Sequence, residues 1–177
     1  MIVKALQGEF EYEANNTRRL LQAIPDSALD FKPSEHSWTT GQLASHIAEV
    51  YNWFDGTLHQ DVFDMATYNY DKGDISKASN IVEKFEANIL IARKALEDAT
   101  DDSMFNTWKM VMGGDKPVMP EMPRIQVVRG FLFNHLYHHR GEMIVYLRST
   151  GNKVPGLYGP TYEDQMQASE QAKTLQE

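Results

Sequence analysis

Four long stretches of the chain carry apolar residues at alternating steps of three and four, a spacing that lines them up on one stripe of an α-helix. In the first, Val3, Leu6, Phe10, Ala14, Thr17, Leu21 and Ile24 share the stripe, and Pro25 with Asp26 ends it. The segment from Pro25 to Ser37 reads as a loop. The second helix starts near Thr39 or Thr40, whose hydroxyl can accept from an unpaired backbone N–H, and runs to about Leu58, with Gly56 weakening its end. A polar connection containing Asp71, Gly73 and Asp74 leads to the third. There Asn80 and Glu83 stand at the spacing of a reciprocal cap, and Ile81, Phe85, Ile89, Ala92 and Leu96 form the buried face. The fourth spans about Arg124 to Thr150, with Gly151 placed for the left-handed turn that ends many helices.

Four such stripes bury themselves best against one another, so the expected fold is all-α, a four-helix bundle. A chain of 177 residues suits a single core, and the bundle is expected to occupy residues 1–163. Residues 164–177 form a polar tail, expected to fray from Gln165 onward. From Thr100 to Pro123 the periodicity stops, and Gly113, Gly114, Pro117, Pro120 and Pro123 exclude a long helix, which leaves a long loop between helices three and four. A loop of that length usually has a function. Beyond helix four, Val154 to Pro160 reads as an extended segment.

Composition narrows the function classes. No apolar run approaches the roughly 20 residues that span a bilayer, and polar residues follow Met1-Ile2-Val3-Lys4 where a secretory signal would be apolar, so a cytoplasmic protein without membrane contact is expected. A formal charge of -8 gives no general attraction for nucleic acid; the expected partner is a small molecule. The chain has no cysteine, which excludes disulfides, thiolate ligands and a cysteine nucleophile together. Any thiol chemistry must use a thiol from outside. There is no P-loop, dinucleotide fingerprint or nucleophile elbow.

The histidines carry the strongest chemical signal. Advancing about 100° per residue from His139, the positions of His135, Ile125, Val128, Leu132, Met143 and Tyr146 all project within about 40° of it, so both histidines sit on the core stripe of helix four. His46 does the same on helix two, whose apolar face is defined by Leu43, Val50 and Trp53. Burying imidazoles without partners is costly, and charging three together adds repulsion; a divalent ion relieves both because it binds the neutral rings. Two histidines at i and i+4 can face one ion, and a third from another helix completes a triad with free coordination positions. Taken singly, each reads more readily as a hydrogen-bonded core histidine than as a ligand, and the i, i+4 pair brings the two readings level. Joining His46 to the pair requires helices two and four to pack together, which spacing does not establish.

The segment Asn134-His135-Leu136-Tyr137-His138-His139-Arg140-Gly141-Glu142 resembles the NHxxxHRGQ signature of the DinB/YfiT-like superfamily, a family of four-helix proteins distinct from the DNA polymerase of the same name. Trp38 followed eight positions later by His46 resembles its helix-two motif, and Pro155-Gly156-Leu157-Tyr158-Gly159-Pro160 is similar to a common closing feature. The resemblance implies a divalent ion, nickel or zinc, on His46, His135 and His139, and frequent homodimers. It implies thiol-dependent S-transfer to a small electrophile as the leading function, with an external low-molecular-weight thiol as co-reactant. The alternatives are metal-dependent hydrolysis and a non-catalytic stress or interaction protein with a structural ion. Glu142 replaces the glutamine common in the family, so its carboxylate is a candidate catalytic base, an extra ligand or an acceptor for a ligand N–H, and it reads equally as a partly solvated glutamate.

Other residues carry weaker expectations. His138 projects about 100° from His139 and is assigned to the rim. His36 and His59 are expected in solvent, and Arg140 in surface ion pairing. Trp53 shares the face of His46, with Tyr51 and Phe54 nearby, so they offer either an aromatic wall or core packing. Met110, Met112, Met119 and Met122 crowd the long loop, where they lid an apolar pocket, seal the bundle end or form an oligomer contact.

Overall fold

The computed structural model describes residues 1–174; residues 175–177, at the end of the tail expected to fray, lie outside the described residues. The first helix, α1, spans Ile2–Gln22 and buries Val3, Leu6, Phe10, Ala14, Thr17 and Leu21, the stripe that the spacing defines. Each large side chain of that kind contributes about 1.5–3 kcal/mol on burial. After Pro25 a short 3-10 turn, Asp26–Ala28, leads into the connection to α2, Thr40–Val50. A complete capping box starts α2: Thr39 Oγ1 accepts from the Gln42 N–H, and Gln42 Oε1 accepts from the Thr39 N–H. The second helix is not continuous to Leu58. It breaks at Tyr51 and Asn52 and resumes as α3, Trp53–His59, without any proline or glycine at the break.

Helix α4 spans Ala78–Asp98 and buries Ile81, Phe85, Ile89, Ala92 and Leu96 as expected. Its start differs from the expected cap: the helix begins two residues before Asn80, which bonds Asp74 Oδ2 instead of making a reciprocal cap with Glu83. The fourth helical run has three parts: α5, Arg124–Gln126; a π-helical turn, Val127–Phe133; and α6, Asn134–Ser149. It ends with Gly151 at φ 74°. There the Gly151 N–H donates to Arg148 O and the Asn152 N–H to Leu147 O, so two orphaned carbonyls are satisfied. The polar end is helical up to Thr174: α7, Tyr162–Thr174, has no buried residue.

Helix α4 packs on α1 and on the α2–α3 pair, while α2 also packs on α6. That last contact is the one the triad needed. The core joins all four helical layers through residues such as Phe10, Leu43, Ile47, Phe85 and Leu136. None of the described helices is long and apolar enough to cross a membrane.

The stretch from Thr100 to Pro123 is not simply a loop. It contributes β2, Thr107–Val111, and β3, Met122–Pro123, which pair with each other antiparallel; β1, Val62–Asp64, joins β2 in parallel with Phe63 opposite Met110. This small sheet encloses a second core of Phe63, Trp108, Met110 and Val127, against which Met119, Met122 and Phe131 pack. The methionines therefore seal the sheet onto the π turn instead of closing a pocket, and Met112 is exposed.

Candidate metal centre

Helices α2 and α6 bring the three histidines together. His46 Nε2 lies 2.8 Å from His135 Nε2, and His139 Nε2 lies 3.1 Å from His135 Nε2. Two nitrogens ~2.1 Å from one ion and ~90–100° apart around it stand ~3.0–3.2 Å from each other. The His139–His135 spacing falls in that range and the His46–His135 spacing is slightly shorter, so the three nitrogens lie within reach of one shared ion. Among the described residues no carboxylate or fourth histidine joins this group, which closes at three.

The protonation state suits ligation. Burial pushes the His46 imidazole down to about 3 and the charges of His139 and His135 push it the same way. Burial, with His139 and His138, takes His135 down to about 4. Burial also lowers His139, partly offset by Glu142. All three rings are thus neutral at pH 7, with lone pairs available. The residue types, the spacing and the neutrality fit a divalent ion, borderline in softness, on an all-imidazole face.

Glu142 is placed by α6 one turn beyond His139. Its Oε2 stands 2.6 Å from His139 Nδ1, and its Oε1 stands 3.3 Å from His138 Nε2. The carboxylate therefore grips the outer nitrogen of His139, opposite the convergent Nε2, and orients that lone pair inward. His138 is exposed, as expected of a rim residue. His36 is exposed too, and His59 at the end of α3 is exposed beside Asp55.

A cavity of about 340 Å³ opens beside His46. Trp38, Trp53, Met65, Tyr68 and Tyr70 supply its apolar walls. Two of these walls reach the other histidines: Trp38 stands 5.8 Å from the His139 ring and Trp53 5.3 Å from the His135 ring, centroid to centroid. Each ring of the triad thus touches the cavity or its lining. Behind the wall, Tyr68 donates to Glu49 and accepts from Trp53 Nε1, and Lys84 Nζ lies 3.0 Å from Glu49 Oε2. Burial and the Glu49 carboxylate raise the Tyr68 phenol above its ordinary range, so it remains protonated. Trp53 was legible from the face it shares with His46. Met65, Tyr68 and Tyr70 lie in the polar connection, where no periodicity marks them.

Arg140 is a correction. The expected surface residue is 1 % exposed, because it lies on a second stripe of the helical run with Phe133, Leu136, Tyr137, Ile144 and Leu147. Its guanidinium donates to Glu13 Oε2, Glu13 O, Thr17 Oγ1 and the Tyr158 hydroxyl, and Tyr158 in turn donates to Glu13. The rings of Tyr137 and Tyr158 lie 5.2 and 5.6 Å from it. This network ties α1, α6 and the extended segment after α6 into one unit.

Comparison with known proteins agrees with this geometry. The model of the DinB family matches residues 1–173. The YrdA protein of Bacillus subtilis (strain 168), itself uncharacterized, is 28% identical over 156 residues, covering 88% of this chain and 87% of YrdA. The crystal structure of a DinB-like protein from Bacillus cereus ATCC 10987 superposes with a TM-score of 0.64 at 25% identity, covering 85% of this chain and 94% of that one. YfiT from Bacillus subtilis, described as a probable metal-dependent hydrolase with an unusual four-helix bundle topology, shares the fold at a TM-score of 0.59 and 18% identity, with 82% of this chain and 87% of YfiT covered.

Proposed function

Because the chain belongs to the DinB family, we propose that it is a metal-dependent enzyme: His46, His135 and His139 hold one nickel or zinc ion, and an external low-molecular-weight thiol is transferred to a small electrophile. The observation that carries this reading is the convergence of three neutral Nε2 atoms, closed at three, beside a cavity. Three protein ligands leave coordination positions for a reactant. When bound, the ion keeps its positive charge on neutral imidazoles and lowers the pKa of a coordinated thiol or water.

The surrounding residues divide the remaining work. Glu142 is a positioning residue that holds His139 by Nδ1. Trp38 and Trp53 stand against the histidine rings and reduce their contact with bulk water. Among the described residues no free carboxylate lines the cavity: Glu142 holds the outer nitrogen of His139, and Glu49 is engaged by Tyr68 and Lys84. That favours a nucleophile which ionises readily on its own. A thiol, with an ordinary pKa near ~8.5, meets the requirement better than water does. Since the chain has no cysteine, the thiol is a co-reactant.

The test is turnover of a chlorinated nitroarene by metal-loaded protein with several low-molecular-weight thiols. As the new C–S bond forms, the C–Cl bond breaks, chloride leaves with the electron pair and the thiol proton passes to solvent. A thioether of the expected mass, absent with His139→Ala, supports the reading. Its absence with every thiol retires the transfer, and elemental analysis finding no metal in untagged protein retires the centre itself. A second reading, attack by water, is favoured by the description of the structural neighbour YfiT as a probable metal-dependent hydrolase. Thiol-independent release of an acid from an ester substrate would select it.

A further inference from the structure

The cavity beside His46 has a one-sided chemistry. Its walls are aromatic rings and one methionine, with Trp38 and Tyr70 about half exposed at its mouth. Two polar residues join them in the lining, Gln42 and the exposed Lys72. Gln42 Oε1 is committed to the Thr39 N–H in the capping box, which leaves its amide N–H groups. Lys72 forms no ion pair among the described residues. Its neighbours Asp71 and Asp74 accept instead from the Gly73 and Ser76 N–H groups.

The wall hydroxyls are likewise spent as donors. Tyr68 both donates to Glu49 and accepts from Trp53; Ser45 Oγ donates to Lys72 O, so the Tyr70 hydroxyl donates to Ser45 Oγ at 3.3 Å and has no proton left for a ligand. The other cation nearby, Lys84, is held by Glu49 behind the wall. What remains for a ligand is flat apolar surface, the phenolic oxygen of Tyr70 as a weak acceptor, and hydrogen-bond donors, one of them fully charged. The size is also informative: about 340 Å³ is roughly twice the ~150 Å³ that suffices to hold benzene.

We propose that this cavity binds a one- or two-ring aromatic molecule bearing a single anionic substituent, its ring between the Trp38, Trp53 and Tyr70 walls and its anion on Lys72 and Gln42. As the identity of the electrophile this rests on the metal-dependent reading above; as a binding preference it stands on the cavity alone. An aromatic ring gains from offset or edge contact with aromatic walls beyond the area it buries. The lone ammonium selects the anion at short range, against the long-range field of a chain with formal charge -8.

The experiment is calorimetric titration of the full-length, metal-free protein with 2-naphthoate, its neutral amide, its aminomethyl cation and cyclohexanecarboxylate. Removing the metal prevents carboxylate coordination from mimicking the effect. We expect 2-naphthoate to bind at least about tenfold more tightly than the other three. The exposed Lys72→Gln should reduce naphthoate binding to about the level of the amide and affect amide binding far less, with circular dichroism confirming the fold. Trp38→Ala should weaken both. Equal binding of naphthoate and its amide, preference for the cation, or indifference to Lys72→Gln overturns the proposal. Failure of the two readings is distinguishable: selective binding by a protein that acquires no metal retires the enzyme reading only, and turnover of neutral aromatics without anion preference retires the cavity assignment only.

Discussion

His139 and Arg140 are adjacent on α6, and both are buried, yet the protein treats their polarity in opposite ways. Arg140 faces α1 and meets a carboxylate, a carbonyl and two hydroxyls, with tyrosine rings beside it. His139 faces α2, where its Nε2 meets only other imidazoles. On one side of the helix the protein supplies partners to both terminal nitrogens of the buried guanidinium, and only Nε lacks one. The other leaves three lone pairs aimed at a common point. A buried group that lacks a partner is costly, so the arrangement around His139 is the one that a ligand completes. The difference separates residues that hold the fold from residues held in readiness for chemistry.

Substitutions on the two sides should break differently. Removing the guanidinium with Arg140→Leu strands the Glu13 carboxylate, and losing one partner of a buried ion pair costs about 3–5 kcal/mol. Thermal unfolding should show the midpoint falling by ~10 °C, and Glu13→Leu added to Arg140→Leu should recover most of it. A midpoint that does not move would mean the network holds nothing. His135→Ala should do the reverse. In metal-free protein it should alter stability little, while metal affinity falls by more than the ~100-fold that loss of an outer-shell partner costs. Competition with a chromogenic chelator measures the second effect.

The contrast also explains what the sequence made legible. The pair of His135 and His139 was legible because histidines repeating at i, i+4 on an apolar stripe are chemically odd, and His46 joined them only through the family resemblance. Arg140 stood on an equally regular stripe, from Phe133 to Leu147, but arginine is so usual on surfaces that the stripe through His139 took precedence. The break between α2 and α3 has no proline or glycine to mark it. The sheet was beyond reach for another reason. Its strands have three, five and two residues, too few for alternation to register, and β1 pairs with a strand more than forty residues away. Its short strands matter because they anchor the connection carrying Met65, Tyr68 and Tyr70 to the rest of the molecule.

Glu142 lies between the two kinds of behaviour, being a protein partner given to a prospective ligand. Glu142→Leu should lower metal affinity by about 10–100-fold, the usual cost of losing a carboxylate behind a ligating histidine. Glu142→Gln keeps an acceptor oxygen and should restore most of that affinity. If Gln and Leu proved equally damaging, the negative charge and not the orientation would be the contribution. If neither changed affinity, the contact with His139 Nδ1 would be incidental.

The smallest effect expected is a pH dependence confined to the triad. His46 and His135 are pushed down to about 3 and about 4 in the folded protein, below the ordinary histidine value of 6.5. Above pH 6.5 the rings are neutral in both folded and unfolded chains, and their contribution is at its full value. As pH falls below 6.5, the unfolded chain binds protons that the folded one excludes, so metal-free protein should lose stability progressively towards pH 4. Both rings are only partly buried, and water screening keeps the loss modest. Denaturant midpoints at pH 7.5, 6 and 5 measure the slope. It should shrink in His46→Leu and persist in Arg140→Leu, whose guanidinium stays charged throughout this range. A slope that vanished with Arg140 and survived loss of His46 would place the acid sensitivity in the α1–α6 network, and the division between the two faces of α6 would fail.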